Sequence, residues 1–117
     1  MVVAPARIPL LVLLAGREHD YQALARPLLH ALERTHQFAI DVASHASAIA
    51  APTHAVVIAA SDEPLEAAHA AALHAFVRGG GGLILMHSTL AGWSEQAHSR
   101  QKQSIGHFPH FGAHFCA

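Results

Sequence analysis

The sequence predicts an α/β layered fold built on a parallel sheet, and three observations carry that expectation. Short runs such as "LLVLLAG" (10–16), "HAVVIAA" (54–60) and "GLILMHS" (82–88) are apolar on successive residues, as in strands covered on both faces. Two longer segments repeat their apolar residues at helical spacing. The order strand, helix, strand, strand, helix, strand then calls for right-handed crossovers within one sheet.

The first strand is expected over 9–15, ending at Gly16. "EHDYQALARPLLHALERT" follows, with Tyr21, Leu24, Ala25, Leu28, Leu29 and Leu32 on one helical face, which predicts an amphipathic helix over about 20–35. Pro27 lies inside it and removes one backbone bond, so a kink is expected there. "FAIDVA" (38–43) alternates as a second strand, "ASAIAAPT" (46–53) reads as a loop, and 54–60 is the third strand. A second helix is predicted over 64–78, capped by Ser61 or Asp62, with Pro64 in its first turn and Gly79 closing it. Its buried face is expected to hold Leu65, Ala68, Ala72, Leu73, Phe76 and Val77. The fourth strand spans 82–88. Parallel crossovers with a switch between the first and third strands predict the spatial order 2-1-3-4. After Trp93 the periodicity ends, and 94–117 reads as an irregular tail rich in His and Phe.

A chain of 117 residues has room for one domain. With 52% apolar and 13% charged residues it is apolar enough to collapse into a core. A formal charge of −1 without a Lys/Arg cluster argues against nucleic acid or an anionic membrane as partner. No apolar run approaches the roughly 20 residues of a membrane span. "IPLLVLLAG" (8–16) follows Arg7 as the core of a leader would, but a helical pattern begins directly after it, so it is read as structure. The single cysteine, Cys116, excludes an intrachain disulfide and fits a reducing, cytoplasmic setting. Twelve histidines make the charge climb steeply on acidification.

In an open parallel sheet the working crevice lies beyond the carboxyl ends of the strands. His19 and Asp20 follow the first strand, Ser61 and Asp62 the third, and His87 and Ser88 the fourth, so these six can line one edge. His30, His69 and His74 lie in helices and are given no role. His36, His45 and His54 fall at the opposite edge. The position of His87 invites comparison with class I glutamine amidotransferase-like domains, in which a cysteine on a sharp turn is the nucleophile. Histidine cannot take that part, so a glutamine amidotransferase is excluded.

"LLAGREHDY", then "ALHAFVRGGGGLILMHSTLAGW", then "IGHFPH" closely resemble the ThuA-like (trehalose-utilisation) family, a branch of that superfamily without the cysteine. The run over 80–93 is the most specific part. The resemblance implies a flavodoxin-like three-layer sandwich and a role in carbohydrate metabolism around keto-disaccharides or glycosides. Members of the family are longer, so the chain corresponds to the N-terminal half of their domain, with a sheet incomplete at the C-terminus. The resemblance nominates His19, His87 and Ser88 as catalytic, and Trp93 and His110 as substrate-binding; Asp20 and Asp62 join the substrate-binding set by their place after the first and third strands. Trp93 is also large enough that burial in the core is the favoured reading.

Three functions follow as expectations. The first is a sugar-processing enzyme in which His19, His87 and His110 act as acid and base or hold a divalent metal such as zinc; no other cofactor is expected. The second is a non-catalytic carbohydrate- or partner-binding domain. The third is an inactive truncated fragment. An incomplete sheet also implies a homo-oligomer formed through its exposed edge.

Overall fold

A computed structural model of the chain describes residues 6–17, 19–49, 53–86, 89 and 93. Four strands, β1 (Ile8–Ala15), β2 (Phe38–Ala43), β3 (Val56–Ser61) and β4 (Gly82–Leu85), form one parallel sheet in the order β2-β1-β3-β4. Helix α1 (Tyr21–Arg34) links β1 to β2, a short 3-10 turn (Ala46–Ile49) lies between β2 and β3, and α2 (Ala67–Arg78) links β3 to β4. The predicted fold class and strand order are those observed.

The pleat of β1 explains the layering. Leu11, Leu13 and Ala15 point to one face, where they join Val57, Ala59, Leu83 and Leu85 with Ala46 and Ile49 of the 3-10 turn and Ala70 and Leu73 of α2. Leu10, Val12 and Leu14 point to the other, against Tyr21 and Ala25 of α1 together with Ile58 and Ala60. Alternate residues therefore feed two cores, and Leu10 through Ala15 are all buried. That is why this strand reads as continuously apolar.

Helix α1 begins where its sequence directs. Asp20 is the N-cap, and its Oδ1 accepts from the Ala23 backbone N at 3.0 Å. Asp20→Ala should lower stability by about 1 kcal/mol, read as a shift in the denaturation midpoint. An unchanged midpoint would remove the cap from the account. On the apolar face Tyr21 and Ala25 are buried and Leu28, Leu29 and Leu32 half-buried, whereas Leu24 is 58% exposed. It lies at the margin of the stripe.

Helix α2 departs from expectation at its start. It begins at Ala67 rather than 64, Glu66 occupies the N-cap without a side-chain cap bond, and Ala68 is exposed. The expected caps are engaged elsewhere: Ser61 belongs to β3 and its Oγ accepts from Glu63 N at 2.9 Å, while Asp62 Oδ1 accepts from Arg17 N at 3.0 Å. Pro64 and buried Leu65 form the approach to the helix. Gly79 is the C-cap, as predicted. Residues 46–49, expected as loop, form the 3-10 turn, and β4 ends at Leu85, with Met86 already outside the strand that was expected to run to 88. The expected irregular tail of 94–117 lies outside the described residues.

Coverage of the sheet is uneven. Ile8, Val42 and Ile84, which lie on the α1 face by the register of their strands, are 41%, 53% and 47% exposed. One helix is narrower than a four-stranded sheet, and α1 packs on β1, β2 and β3. Among the described residues no helix is long and apolar enough to cross a membrane.

Candidate functional site

Strand order places the topological switch between β1 and β3, the two central strands, which leave the sheet level with one another at the pair Ala15↔Ser61. From β1 the chain runs through Gly16, Arg17, His19 and Asp20 into α1. From β3 it runs through Asp62 and Glu63 towards α2. The connections diverge to opposite sides of β1, the place at which open parallel sheets carry their ligand crevice.

Gly16 sets the geometry where the ends of β1 and β3 meet. Its φ is +111°, and a Cβ built there would overlap the Asp62 carboxylate. The missing side chain lets that carboxylate lie against the β1 turn, where Oδ1 accepts from Arg17 N at 3.0 Å. A second bond, from Asp62 N to the Ala15 carbonyl at 3.3 Å, closes the corner. The two strand ends are thus tied by a pair of bonds around one aspartate. Asp62 is half-buried; His19 and Asp20 are exposed. The His19 ring meets Tyr21 edge to face, with centroids 5.7 Å apart and planes at 88°, and Tyr21 itself is 3% exposed. His19 is thereby oriented by a residue rooted in the core.

Behind this corner lies a buried polar layer that sequence reasoning missed. Ser61 and Thr89 are almost fully enclosed, and Ser61 N donates to Thr89 Oγ1 at 2.6 Å. Trp93 is 2% exposed within the core cluster, and its Nε1 donates to the Glu63 carbonyl at 3.2 Å. These bonds hold the segment after β3 against the chain that follows β4. Thr89→Val keeps the shape but leaves Ser61 N–H buried without its acceptor, and should cost about 1–3 kcal/mol in chemical denaturation. No loss would show that another group satisfies this N–H. The advance signals for this layer were a polar Ser61 ending an apolar run and the expected burial of Trp93; the partner Thr89 had none.

Of the predicted site residues, His19, Asp20 and Asp62 are brought to one edge, and Trp93 is placed in the core beside Glu63. His87, Ser88 and His110 lie outside the described residues. Among the described residues no group of three or more His, Cys, Asp or Glu side chains is arranged to hold a metal ion. At the opposite edge, His54 Nε2 lies 2.8 Å from Asp41 Oδ2, a local pair away from this corner.

Comparison with known proteins gives two findings. The fold is similar to that of a crystal structure described as a ThuA-like protein from Parabacteroides merdae, with a TM-score of 0.59 and 16% identity; the match covers 80% of this chain and 37% of the other. That likeness supports the flavodoxin-like fold the sequence resemblance implied. The chain spans well under half of that protein. No curated protein matches the sequence. Residues 10–117 match the model of the family described as tRNA(Met) cytidine acetyltransferase TmcA, N-terminal, which differs from the family that the motifs resemble. By that match the chain belongs to the TmcA N-terminal family, and it carries this membership on a parallel sheet shared with a ThuA-like protein.

Proposed function

We propose that the domain binds, and in its complete protein acts on, a sugar such as a keto-disaccharide or glycoside in the crevice between the ends of β1 and β3. The observation that carries this reading is the Gly16–Asp62 corner, which places a half-buried carboxylate at the switch point beside exposed His19 and Asp20. Carboxylate and imidazole groups at one sheet edge suit hydroxyl recognition, and an imidazole can move a proton to or from a sugar oxygen. His87 and Ser88 follow β4 in sequence and His110 follows them; this reading gives His19, His87 and Ser88 the catalytic roles and Asp20, Asp62 and His110 the substrate contacts. Trp93 enters it as a packing residue. A divalent metal such as zinc would be held by His19, His87 and His110 and would polarise a carbonyl.

The test is calorimetric titration with a keto-disaccharide, with and without added zinc. Binding that is lost in His19→Ala and His87→Ala, with less than about 1 kcal/mol change in stability, is the expected result. Retained affinity in both variants would sink the assignment.

A second reading is favoured by the family match: a non-catalytic module serving a larger tRNA(Met) cytidine acetyltransferase. A net charge of −1 with no basic cluster gives this segment little means of holding RNA phosphates itself, so in that setting it would act on a protein or small-molecule partner. A mobility shift with tRNA, falling steeply with salt, and no response to sugar would favour the nucleic-acid role instead. Under either reading Ile84 offers exposed apolar surface on β4, the edge strand among the described residues, and self-association through that edge is proposed. Ile84→Lys should move a concentration-dependent dimer peak to monomer in size-exclusion chromatography; an unmoved dimer would place the contact elsewhere.

A further inference from the structure

We infer that the α1 face of the sheet over β4 is a docking surface for the chain's own aromatic segment, residues 105–117. The inference goes beyond the sugar reading and does not depend on it. The two faces of the sheet are covered unequally. Among the described residues, the large apolar strand side chains left exposed are Ile8, Val42 and Ile84, and all three share the α1 face by their register with Leu10, Val12 and Ile58. The cause is width. A helix is about 10 Å across and strands lie about 4.8 Å apart, so α1, packed on β1, β2 and β3, leaves β4 without a layer on this side. Ile84, 47% exposed, marks the bare strip, and half-buried Met86 borders it.

The strip is a step, with sheet below it and the flank of α1 along one side. A broad surface, such as that of a second copy, is held off by a helix standing about 10 Å proud of the sheet. A single chain segment fits. The sequence supplies one close by: 94–104 holds the charges of Glu95, Arg100 and Lys102, whereas 105–117 has no Asp, Glu, Lys or Arg and carries Ile105, Phe108, Phe111 and Phe115. Each phenylalanine withdraws about 150–250 Å² from water when it is buried, which gives this segment a strong drive towards apolar surface. Trp93, in one core cluster with Leu83 and Leu85 of β4, fixes the start of the segment near that strand. The eleven residues 94–104 can span up to about 35 Å, more than the roughly 14 Å width of four strands, so they reach round the sheet edge. A segment lying on the face leaves the backbone groups along the β4 edge free for the self-association proposed above.

The experiment attaches a nitroxide to Cys116, the chain's only cysteine, and compares amide signals of the full chain before and after the label is reduced. Expected is a loss of signal at Ile84, Met86 and helix α1, with Ala70 and Leu73 of α2 unaffected. Ile84→Lys, a change at an exposed position, should restore the lost signals, and so should Phe108→Ser/Phe111→Ser, which leaves the sheet untouched. Loss centred on α2, or no loss on either face, would overturn the inference, as would loss that neither variant relieves. A mixture of nitroxide-bearing chains with isotope-labelled Cys116→Ser chains reads contacts between copies. If the loss appears there as strongly as within one chain, the face is covered by a second copy and the inference fails. Each of these results leaves the sugar titration to be judged on its own.

Discussion

Gly16→Ala is expected to destabilise the domain by about 3 kcal/mol, the sum of two separable causes. A side chain at φ +111° carries a conformational cost of about 1–2 kcal/mol. The new Cβ would also overlap Asp62, so the carboxylate must leave and its bond to Arg17 N is lost, for about 1 kcal/mol or more. Gly80 provides the control. Its φ is +100°, but nothing lies within 4 Å of a Cβ built there, so Gly80→Ala should cost only the conformational part. A double-mutant cycle isolates the rest: with Asp62→Ala in the background, Gly16→Ala should become cheaper by roughly 1 kcal/mol. Equal costs at positions 16 and 80, or strict additivity with Asp62→Ala, would show that the corner is not held as described. Because the same corner lies at the proposed crevice, Gly16→Ala should also abolish ligand binding at temperatures where the variant is still folded.

Trp93→Ala carries the other large effect, a loss of about 3–5 kcal/mol. The indole is 2% exposed in the core cluster that includes Leu65, Leu73 and Leu85, so truncation opens a cavity where the surroundings are sheet and helix. Trp93→Phe should retain most of the packing and lose chiefly the bond from Nε1 to the Glu63 carbonyl, for about 1–2 kcal/mol. Since Trp93 is the chain's only tryptophan, circular dichroism rather than intrinsic fluorescence must follow the unfolding. The pair of variants separates packing from recognition. If Trp93→Ala left stability within about 0.5 kcal/mol while removing sugar binding, the ring would be a ligand platform and its place in the core would be wrong.

Much of this arrangement was legible beforehand, for reasons that differ between elements. β1 and β3 betray themselves because strands buried on both faces have no polar alternation, and α1 because its stripe and its Asp20 cap lie close together in sequence. The start of α2 was not legible. Ser61, Asp62 and Pro64 together make an N-terminal signature on local grounds, yet Asp62 bonds to Arg17, a residue 45 positions earlier, and the helix begins only at Ala67. Local propensity was outweighed by a contact between two strand ends that only the assembled sheet brings together.

The same division holds for the candidate site. By itself the sequence determined the fold class, the strand order and the edge at which His19, Asp20 and Asp62 emerge, because apolar periodicity and the handedness of parallel crossovers leave few topologies open. Only the tertiary structure decided that Gly16 must be bare to receive Asp62, that Thr89 answers the buried N–H of Ser61, and that Trp93 braces Glu63 from within the core. Each of these is a pairing of side chain or backbone across at least 28 residues of chain. A pattern of spacing carries no record of such pairings, because hydrogen bonds and excluded volume act on distance in space.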